Sequence, residues 1–420
     1  MRWGAETGAR RDIPDRRVEP RLSEVQQWVL VAGVVMGDGV AVASDIVPFS
    51  RPYRSEDELA NVARVLASDH SHGDGPFTRR ASEKIVTLTT AGHVLLTPSG
   101  THSLEMASSL LGIGRGDEVI LPSFTFPSAA DAVARTGATC VFVDIDPSTG
   151  NIDANQASEA VGPRTRAISV MHYGGVPVDI ESMLSIAREH GLPIIEDNAH
   201  GLGVRAGAHT LGSVGVLAAQ SFHDTKNVHC GEGGALLIND PALVERAEIM
   251  REKGTNRSQY LRGQVDKYRW VDWGSSYLMS EISAAVLDAQ LSEIGEIQHQ
   301  RVSVWDRYAL ELDEWADALG ARLMSPPLGI HAAHLFYLVM PTWASQTDLI
   351  ASLRLAGVIA SFHYVPLDSS PAGLRYGRTL GSLDVSEDFS RRIVRLPLWP
   401  GMSEDQVSRV IDAVRAFQLL

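Results

Sequence analysis

The sequence predicts an α/β protein with a mostly parallel central sheet covered by helices on both faces, followed by a smaller α+β C-terminal part. Three observations predict it. From His93 to Asp197 short apolar runs alternate with stretches of helical apolar spacing, the pattern of parallel strands buried on both faces. Polar residues with chemical potential sit where those runs end, and ligands in such sheets gather at the carboxyl ends of strands. After the amphipathic stretch Met279 to Ile294 the alternation gives way to a mixed pattern, as expected of a second subdomain.

At 420 residues the chain exceeds what one core sustains, so two subdomains sharing an interface are expected. The division is 1–45 as an N-terminal appendage, 46–298 as a large domain and 299–420 as a small C-terminal domain. With 44% hydrophobic and 21% charged residues the composition is that of an ordinary globular protein. The net charge of -14 argues against nucleic acid or an acidic membrane as partner, while leaving room for an anionic small molecule in a local basic pocket. Cys140 and Cys230 are too few for a disulfide framework and have no metal-type spacing, so a reducing, cytoplasmic compartment and no metal are expected. The first segment is arginine-rich, and its apolar run Trp28 to Val35 is too short to span a bilayer. It lacks a clear signal-cleavage site, Met36 is a candidate initiator, and no function is assigned to it.

In chain order, Glu56 to Ala67 and Phe77 to Thr90 have helical spacing, joined by the turn Gly73 to Pro76. A strand at His93 to Thr97 leads into SGTHSLEMASSLLGIG, a small-residue turn opening a helix whose N-terminal NH groups suit an anion. A simple cap by Ser99 or Thr101 explains that stretch equally well. Then follow strands at Glu118 to Leu121, Thr139 to Val143, Arg166 to Val170, Pro193 to Asp197, Val214 to Gln220 and Ala235 to Ile238. Helices are expected from Ser128 and over Ile180 to His190. Past Ile294, helices are expected at Gln300 to Asp317, Ser345 to Ala356 and Glu404 to Phe417, with strands at His334 to Met340 and Phe362 to Val365.

Between two of the expected core strands lies Ser221 to Gly234, SFHDTKNVHCGEGG. A lysine placed there is a candidate for a charge-suppressed amine that forms a Schiff base with a carbonyl; the plainer reading is a stem packed on the core with its ammonium in water. Lys226, Asp197, an aromatic ring at Phe126 and a phosphate cradle on successive strand ends are together what pyridoxal phosphate requires. Lys226 would hold the aldehyde, Asp197 the ring nitrogen, Phe126 one ring face, and His200 the ring hydroxyl. Gly100, Thr101 and Ser221 would hold the phosphate. Singly, Asp197 also reads as a turn residue, Phe126 as core and His200 as a satisfied histidine.

The motifs SGTHSL, PSFTFPSAADAV, VDIDPSTGNID, EDNAHGLG, SFHDTKN and GEGGALLIND, in this order, resemble the DegT/DnrJ/EryC1/StrS sugar aminotransferases. The resemblance runs from about Val47 to the C-terminus. It implies fold type I of the pyridoxal-phosphate enzymes and a homodimer with its sites at the subunit interface. Glu248 to Ala285 and Ser361 to Gly373 resemble the subgroup acting on dTDP-4-keto-6-deoxyglucose, with glutamate as amino donor. The resemblance carries Lys226, Asp197, Phe126 and Ser221 into the cofactor site. Many relatives have glutamine at the position of His200. Many also have an asparagine at that of Leu278, which reaches the partner subunit's phosphate; leucine cannot, leaving Ser275 or Ser276 for that contact. For the nucleotide diphosphate, Arg251 to Arg269 is the densest basic stretch after residue 45, and Lys253 and Arg257 are the candidates, with His363 and Tyr364 closing the sugar side. A solvated helix end explains most of that stretch as well. A 3-keto nucleotide sugar as acceptor and a cofactor-binding regulator without turnover stay open as alternatives. Relatives that dehydrate sugars have histidine at the position of Lys226.

Overall fold

A computed structural model of the chain describes residues 46–325 and 329–419; the segment read as an appendage, 1–45, lies outside the described residues. In chain order the strands are β1 (His93–Thr97), β2 (Glu118–Pro122), β3 (Thr139–Val143), β4 (Thr165–Met171), β5 (Ile194–Asp197), β6 (Arg205–Ala206), β7 (His209–Thr210), β8 (Leu217–Ser221), β9 (Gly234–Ile238), β10 (Arg322–Leu323), β11 (Phe336–Val339), β12 (Gly377–Thr379) and β13 (Ile393–Leu396). Eight of them make one sheet in the order β1-β9-β8-β5-β4-β2-β3-β12. β9 runs against β1 and β8, and the pairs from β8 to β12 are parallel. The expected mostly parallel sheet is therefore present. Its central strands are buried as the continuous apolar runs require: β2 (EVILP) buries every residue and β4 all but Arg166.

Helices form where local signals place them. Ile180–His190 starts at Asp179, whose carboxylate accepts from Ser182 N–H at 3.1 Å, and ends at Gly191 with φ 64°. Ile294–Leu319 stops at Gly320, also left-handed, with φ 71°. Other ends are secured from far away. Glu281 closes the start of helix Pro76–Thr89, accepting from the N–H groups of Gly75 (3.0 Å), Phe77 (2.9 Å) and Thr78 (2.9 Å).

The second part holds the antiparallel sheet β10-β11-β13 with helices Ile294–Leu319, Trp343–Leu355 and Glu404–Arg415. Its core includes Trp305, Tyr308, Phe336, Leu349, Ile393 and Val410, and extends to Phe124, Met171 and Tyr173 beyond the strand ends of the large sheet. The two parts thus share buried surface. The division expected at 298 and 299 falls inside the continuous helix Ile294–Leu319, whose Ile297 packs with the large sheet's core and whose Val304 packs with the other.

The structure corrects one reading of the C-terminal part and adds elements that the sequence did not lead us to expect. Phe362 to Val365 forms no strand: Ser361 alone pairs with Arg395, after which the chain diverges and lays His363 and Tyr364 into a cavity instead of a ladder. β12 was not expected, because three residues beginning at glycine carry no alternation. It exists because Gly377 passes so close to Phe142 that a Cβ would lie 2.3 Å from the ring. Helix Asp384–Arg392 has few apolar residues. It is held by Phe389 in the core and by Asp144 at the end of β3, which accepts from Val385 N–H (2.9 Å) and Ser386 N–H (2.6 Å).

Candidate active site

The lysine loop leaves β8 and returns as β9 over a set of backbone bonds. Phe222 N–H donates to Gly233 O (2.8 Å), Asp224 N–H to Gly231 O (3.0 Å) and Lys226 N–H to His223 O (2.9 Å). Gly234 lets β9 pass the turn before the helix Gly100–Leu110, since a Cβ there would lie 2.3 Å from Ser99 C. Asn227 ties the loop to the second part, donating to Ala332 O (2.7 Å) and accepting from His334 Nδ1 (2.8 Å). The result is a fixed amine: burial pulls the Lys226 ammonium down from 10.5 to about 8, against the pull of the Asp197 carboxylate in the other direction.

Asp197 ends β5, two strand positions from β9 through β8. It is 5% exposed and accepts from Ala199 N–H at 3.1 Å. Burial raises its pKa, so the carboxylate calls for a cationic partner. The adjacent Glu196 fixes this strand end by accepting from Gly212, Val214 and Gly215 N–H (2.9, 2.8 and 2.7 Å) and from His172 Nε2 (2.9 Å). Facing Asp197 across the site is the start of helix Gly100–Leu110, where Ser99 Oγ accepts from His102 N–H (3.2 Å) and Thr101 shares a hydroxyl bond with Ser128 (2.8 Å).

Lys226, Asp197, Gly100, Thr101, Phe126, His200, Ser221 and Tyr364 line one cavity of about 470 Å³, with Ser99, Ser128, His223 and Thr225. The seven residues expected to hold the cofactor are thus brought together, with Tyr364 from the substrate set. The lining thus combines hydroxyls and the N–H groups at a helix start with a carboxylate and an amine, and includes Phe126, which is 52% exposed.

Comparison with known proteins accounts for this arrangement. The family profile of the DegT/DnrJ/EryC1/StrS aminotransferases matches residues 52–415. The chain belongs to this family. The aminotransferase is 30% identical over 377 residues to the spore coat polysaccharide biosynthesis protein SpsC of Bacillus subtilis (strain 168), covering 88% of this chain and 96% of that one. Its fold matches the aminotransferase TlmJ of Streptoalloteichus hindustanus with a TM-score of 0.81 and 30% identity, over 88% of this chain and 98% of that one. It also matches S. venezuelae DesV, solved in complex with a ketimine intermediate, with a TM-score of 0.79 and 32% identity over 89% and 98%. The protein is therefore a pyridoxal-phosphate-dependent transaminase of fold type I. The residues present fit the cofactor: an amine of lowered pKa, a buried carboxylate for the ring nitrogen and a hydroxyl-lined helix N-terminus for the phosphate.

The structure adds His334 and Arg395 to this aminotransferase's site, which the sequence did not point to, and sets His363 and Tyr364 beside them. His334 stacks on His200 with ring centroids 4.0 Å apart and planes at 23°, and His363 stacks on Tyr364 at 4.0 Å and 12°. Burial holds all three imidazoles well below their usual range, so they are neutral at pH 7. Because His200 Nδ1 accepts from Gly174 N–H (3.2 Å), its proton sits on Nε2, which makes it a donor. Arg395, from β13, lines the same region as His363 and Lys226. Its only sequence signal was a lone charge within an apolar run.

Lys253 and Arg257 are not brought to Lys226 within the chain. They line a separate cavity with His72, Glu252, Ser276 and Leu278, where Arg257 pairs with Glu252 at 3.3 Å. Lys253 donates its N–H to Ser275 O (2.9 Å) from a left-handed backbone, φ 63°.

The lowered lysine pKa has a measurable consequence. Its neutral amine, the form that attacks an aldehyde, is present above about pH 8 instead of above 10.5. The rate at which cofactor-free protein takes up pyridoxal phosphate is expected to climb through about pH 8 and then level off. A rate still climbing beyond pH 10 would contradict the buried environment assigned to Lys226.

Proposed function

We propose that this aminotransferase moves the amino group of L-glutamate to C4 of dTDP-4-keto-6-deoxyglucose, giving a dTDP-4-amino-4,6-dideoxyhexose. The observation that carries the reading is the convergence of Lys226, Asp197 and the start of helix Gly100–Leu110 in one cavity, next to the His363 and Tyr364 wall. Support for a sugar acceptor comes from the likeness to a polysaccharide biosynthesis protein. Support for this sugar comes from the stretches Glu248 to Ala285 and Ser361 to Gly373.

Bound in this site, pyridoxal phosphate supplies an aldehyde and an electron-withdrawing ring. The chain's own residues do the rest. Lys226 Nζ takes the proton from the donor's α-carbon and returns one when the sugar carbon is aminated. Asp197 would keep the ring nitrogen protonated, and His200 Nε2–H would be the donor available to the ring hydroxyl oxygen. Ser221, Thr101 and the N–H groups at Gly100 hold the phosphate. His363 Nδ1 and the Tyr173 hydroxyl, 3.3 Å apart, fix the wall against which the sugar rests. Lys253 and Arg257 serve the diphosphate from across a homodimer interface, where Leu278, Ser275 and Ser276 face the partner's site. Trp270, 80% exposed and paired with Thr255 on the same loop, suits burial against a second copy. The free, buried thiols of Cys140 and Cys230 accord with the cytoplasm.

The test is product analysis. Cofactor-loaded protein is given glutamate and then dTDP-4-keto-6-deoxyglucose, and the sugar is examined by NMR. An amine at C4 is expected, and the coupling constants at C4 assign the gluco or galacto product. An amine at C3 of the corresponding 3-keto sugar, with the 4-keto sugar left untouched, would move the acceptor to the 3-keto class. A loaded protein that never gives up its aldehyde form to glutamate would be a binder and not a transaminase.

A further inference from the structure

The cavity that holds Lys253 and Arg257 measures about 370 Å³, and its lining is not that of a plain anion site. Lys253, Arg257 and His72 face it, as an anion requires, but so does Glu252, the one acid lining it among the described residues. Glu252 is 3% exposed. Its carboxylate has a single partner among the described residues: Arg257 Nη1 donates to Oε2 at 3.3 Å, while Oε1 is shielded from solvent and accepts from nothing. A buried carboxylate so thinly supported costs the fold free energy. The backbone nevertheless holds it in place. Glu252 pairs with Ser276, and its carbonyl accepts from Thr255 N–H (3.1 Å) and Oγ1 (2.8 Å). Lys253, the next residue, takes the left-handed backbone that side chains rarely adopt, φ 63°. Such outliers cluster at ligand sites.

We infer that Glu252 makes this cavity selective, admitting an anion that brings its own hydrogen-bond donor and turning away one that does not. This rests on the nucleotide-sugar reading of the acceptor and adds the residue that sorts nucleotides from simple phosphates. The argument turns on Arg257, which both sides need. A phosphate group that binds Arg257 draws the guanidinium from Glu252 and sets a second negative charge beside a buried carboxylate with no other partner. Removing one member of a buried pair is strongly unfavourable, so phosphate and pyrophosphate bind against a penalty. A nucleoside diphosphate escapes it. An O–H of its pentose or an N–H of its base can donate to the carboxylate that Arg257 has left, while Arg257, Lys253 and His72 share the phosphates. Selectivity is a difference of affinities, and a repulsive group widens it as surely as an attractive one. Lys253 and Arg257 alone would bind any compact anion; with Glu252 between them the cavity asks for a nucleoside as well.

The experiment measures binding of dTDP, UDP and pyrophosphate to cofactor-loaded protein by calorimetry, with no amino donor present. Wild type is expected to prefer dTDP to pyrophosphate. In Glu252→Gln pyrophosphate should bind roughly 10-fold tighter, since a like charge beside it is gone. For dTDP the relief is offset by the lost hydrogen bond to a charged acceptor, so its preference over pyrophosphate falls by roughly 10-fold. Glu252→Asp keeps the charge and shortens the reach: pyrophosphate stays weak and dTDP weakens. The 3′-deoxy analogue of dTDP tells the two donors apart, because a loss of preference that disappears with it assigns the contact to the pentose hydroxyl, and one that persists assigns it to the base. Equal gains for dTDP and pyrophosphate in Glu252→Gln would make Glu252 no more than a partner of Arg257 and overturn the inference. A wild type that binds pyrophosphate as tightly as dTDP, or none of these ligands, overturns it too. A wild type that takes UDP in place of dTDP, with the same loss of preference in Glu252→Gln, would correct the base in the proposed acceptor and leave the selectivity of Glu252 standing.

Discussion

Lys226→Ala is expected to yield a folded protein that binds pyridoxal phosphate without covalent attachment and turns over at least roughly 10² to 10⁴ times more slowly. That is the range for removing a positioned acid–base group, and the variant also loses the covalent link. The fold should not suffer. Among the described residues the side chain supplies no hydrogen bond or ion pair to the elements around it, and its ammonium is disfavoured by burial, so the thermal midpoint of cofactor-free protein should stay level or rise. Borohydride reduction followed by peptide mapping reads the attachment directly: wild type should carry the reduced cofactor on the peptide containing Lys226, and the variant on none. Cofactor found on another lysine of the wild type would remove the residue around which the active site has been built.

Asp197→Asn is expected to separate stability from activity in a similar way, for a different reason. In the cofactor-free protein the carboxylate is buried against its preference, with its pKa raised by desolvation and one N–H from Ala199 in return. Losing that charge costs the empty fold little, and the thermal midpoint should hold. With cofactor bound, the same carboxylate faces a protonated ring nitrogen. Breaking a buried charge pair costs about 3 to 5 kcal/mol, which corresponds to roughly a 10² to 10⁴-fold loss of turnover. The loss should fall on both half-reactions, since both need the ring as an electron sink. A variant that kept more than about a tenth of wild-type turnover would show that the ring nitrogen is served by another group. The pH dependence should differ as well: burial raises the Asp197 pKa in wild type without cofactor, so the carboxylate gains its proton at a higher pH than a free aspartate and cofactor retention weakens as pH falls, whereas the asparagine variant, with no proton to gain there, should lose that dependence.

Sequence alone determined much of this protein, and the reason is geometric. In a parallel sheet each strand is a short apolar run followed by a turn, and the turns at the carboxyl ends meet on one side. Residues placed where such runs end, Asp197 at the end of β5, Ser221 at the end of β8 and Phe126 after β2, converge whatever the details of packing, so reading the runs was enough to assemble them. The same holds for helix ends whose caps are neighbours in sequence, as at Asp179 and Ser99.

Only the tertiary structure decided what depends on distant partners. No local pattern marks Glu281 as the cap of helix Pro76–Thr89 or Asp144 as that of Asp384–Arg392, since a carboxylate serving a remote helix looks like any surface acid in sequence. The strand expected at Phe362 to Val365 had the right residues, but its backbone is led away after Ser361 so that His363 and Tyr364 reach the cavity. Lys253 and Arg257 share a basic stretch with plausible ligands, yet the loop carries them to a separate cavity. Arg395 and His334 lie on strands of the second sheet, or next to them, and become site residues only because that sheet packs over the ends of the first. Charge and hydrogen-bonding capacity are written in each residue, but whether they are answered is settled by what the fold brings against them, and at Arg395 the fold leaves the charge facing an open chamber.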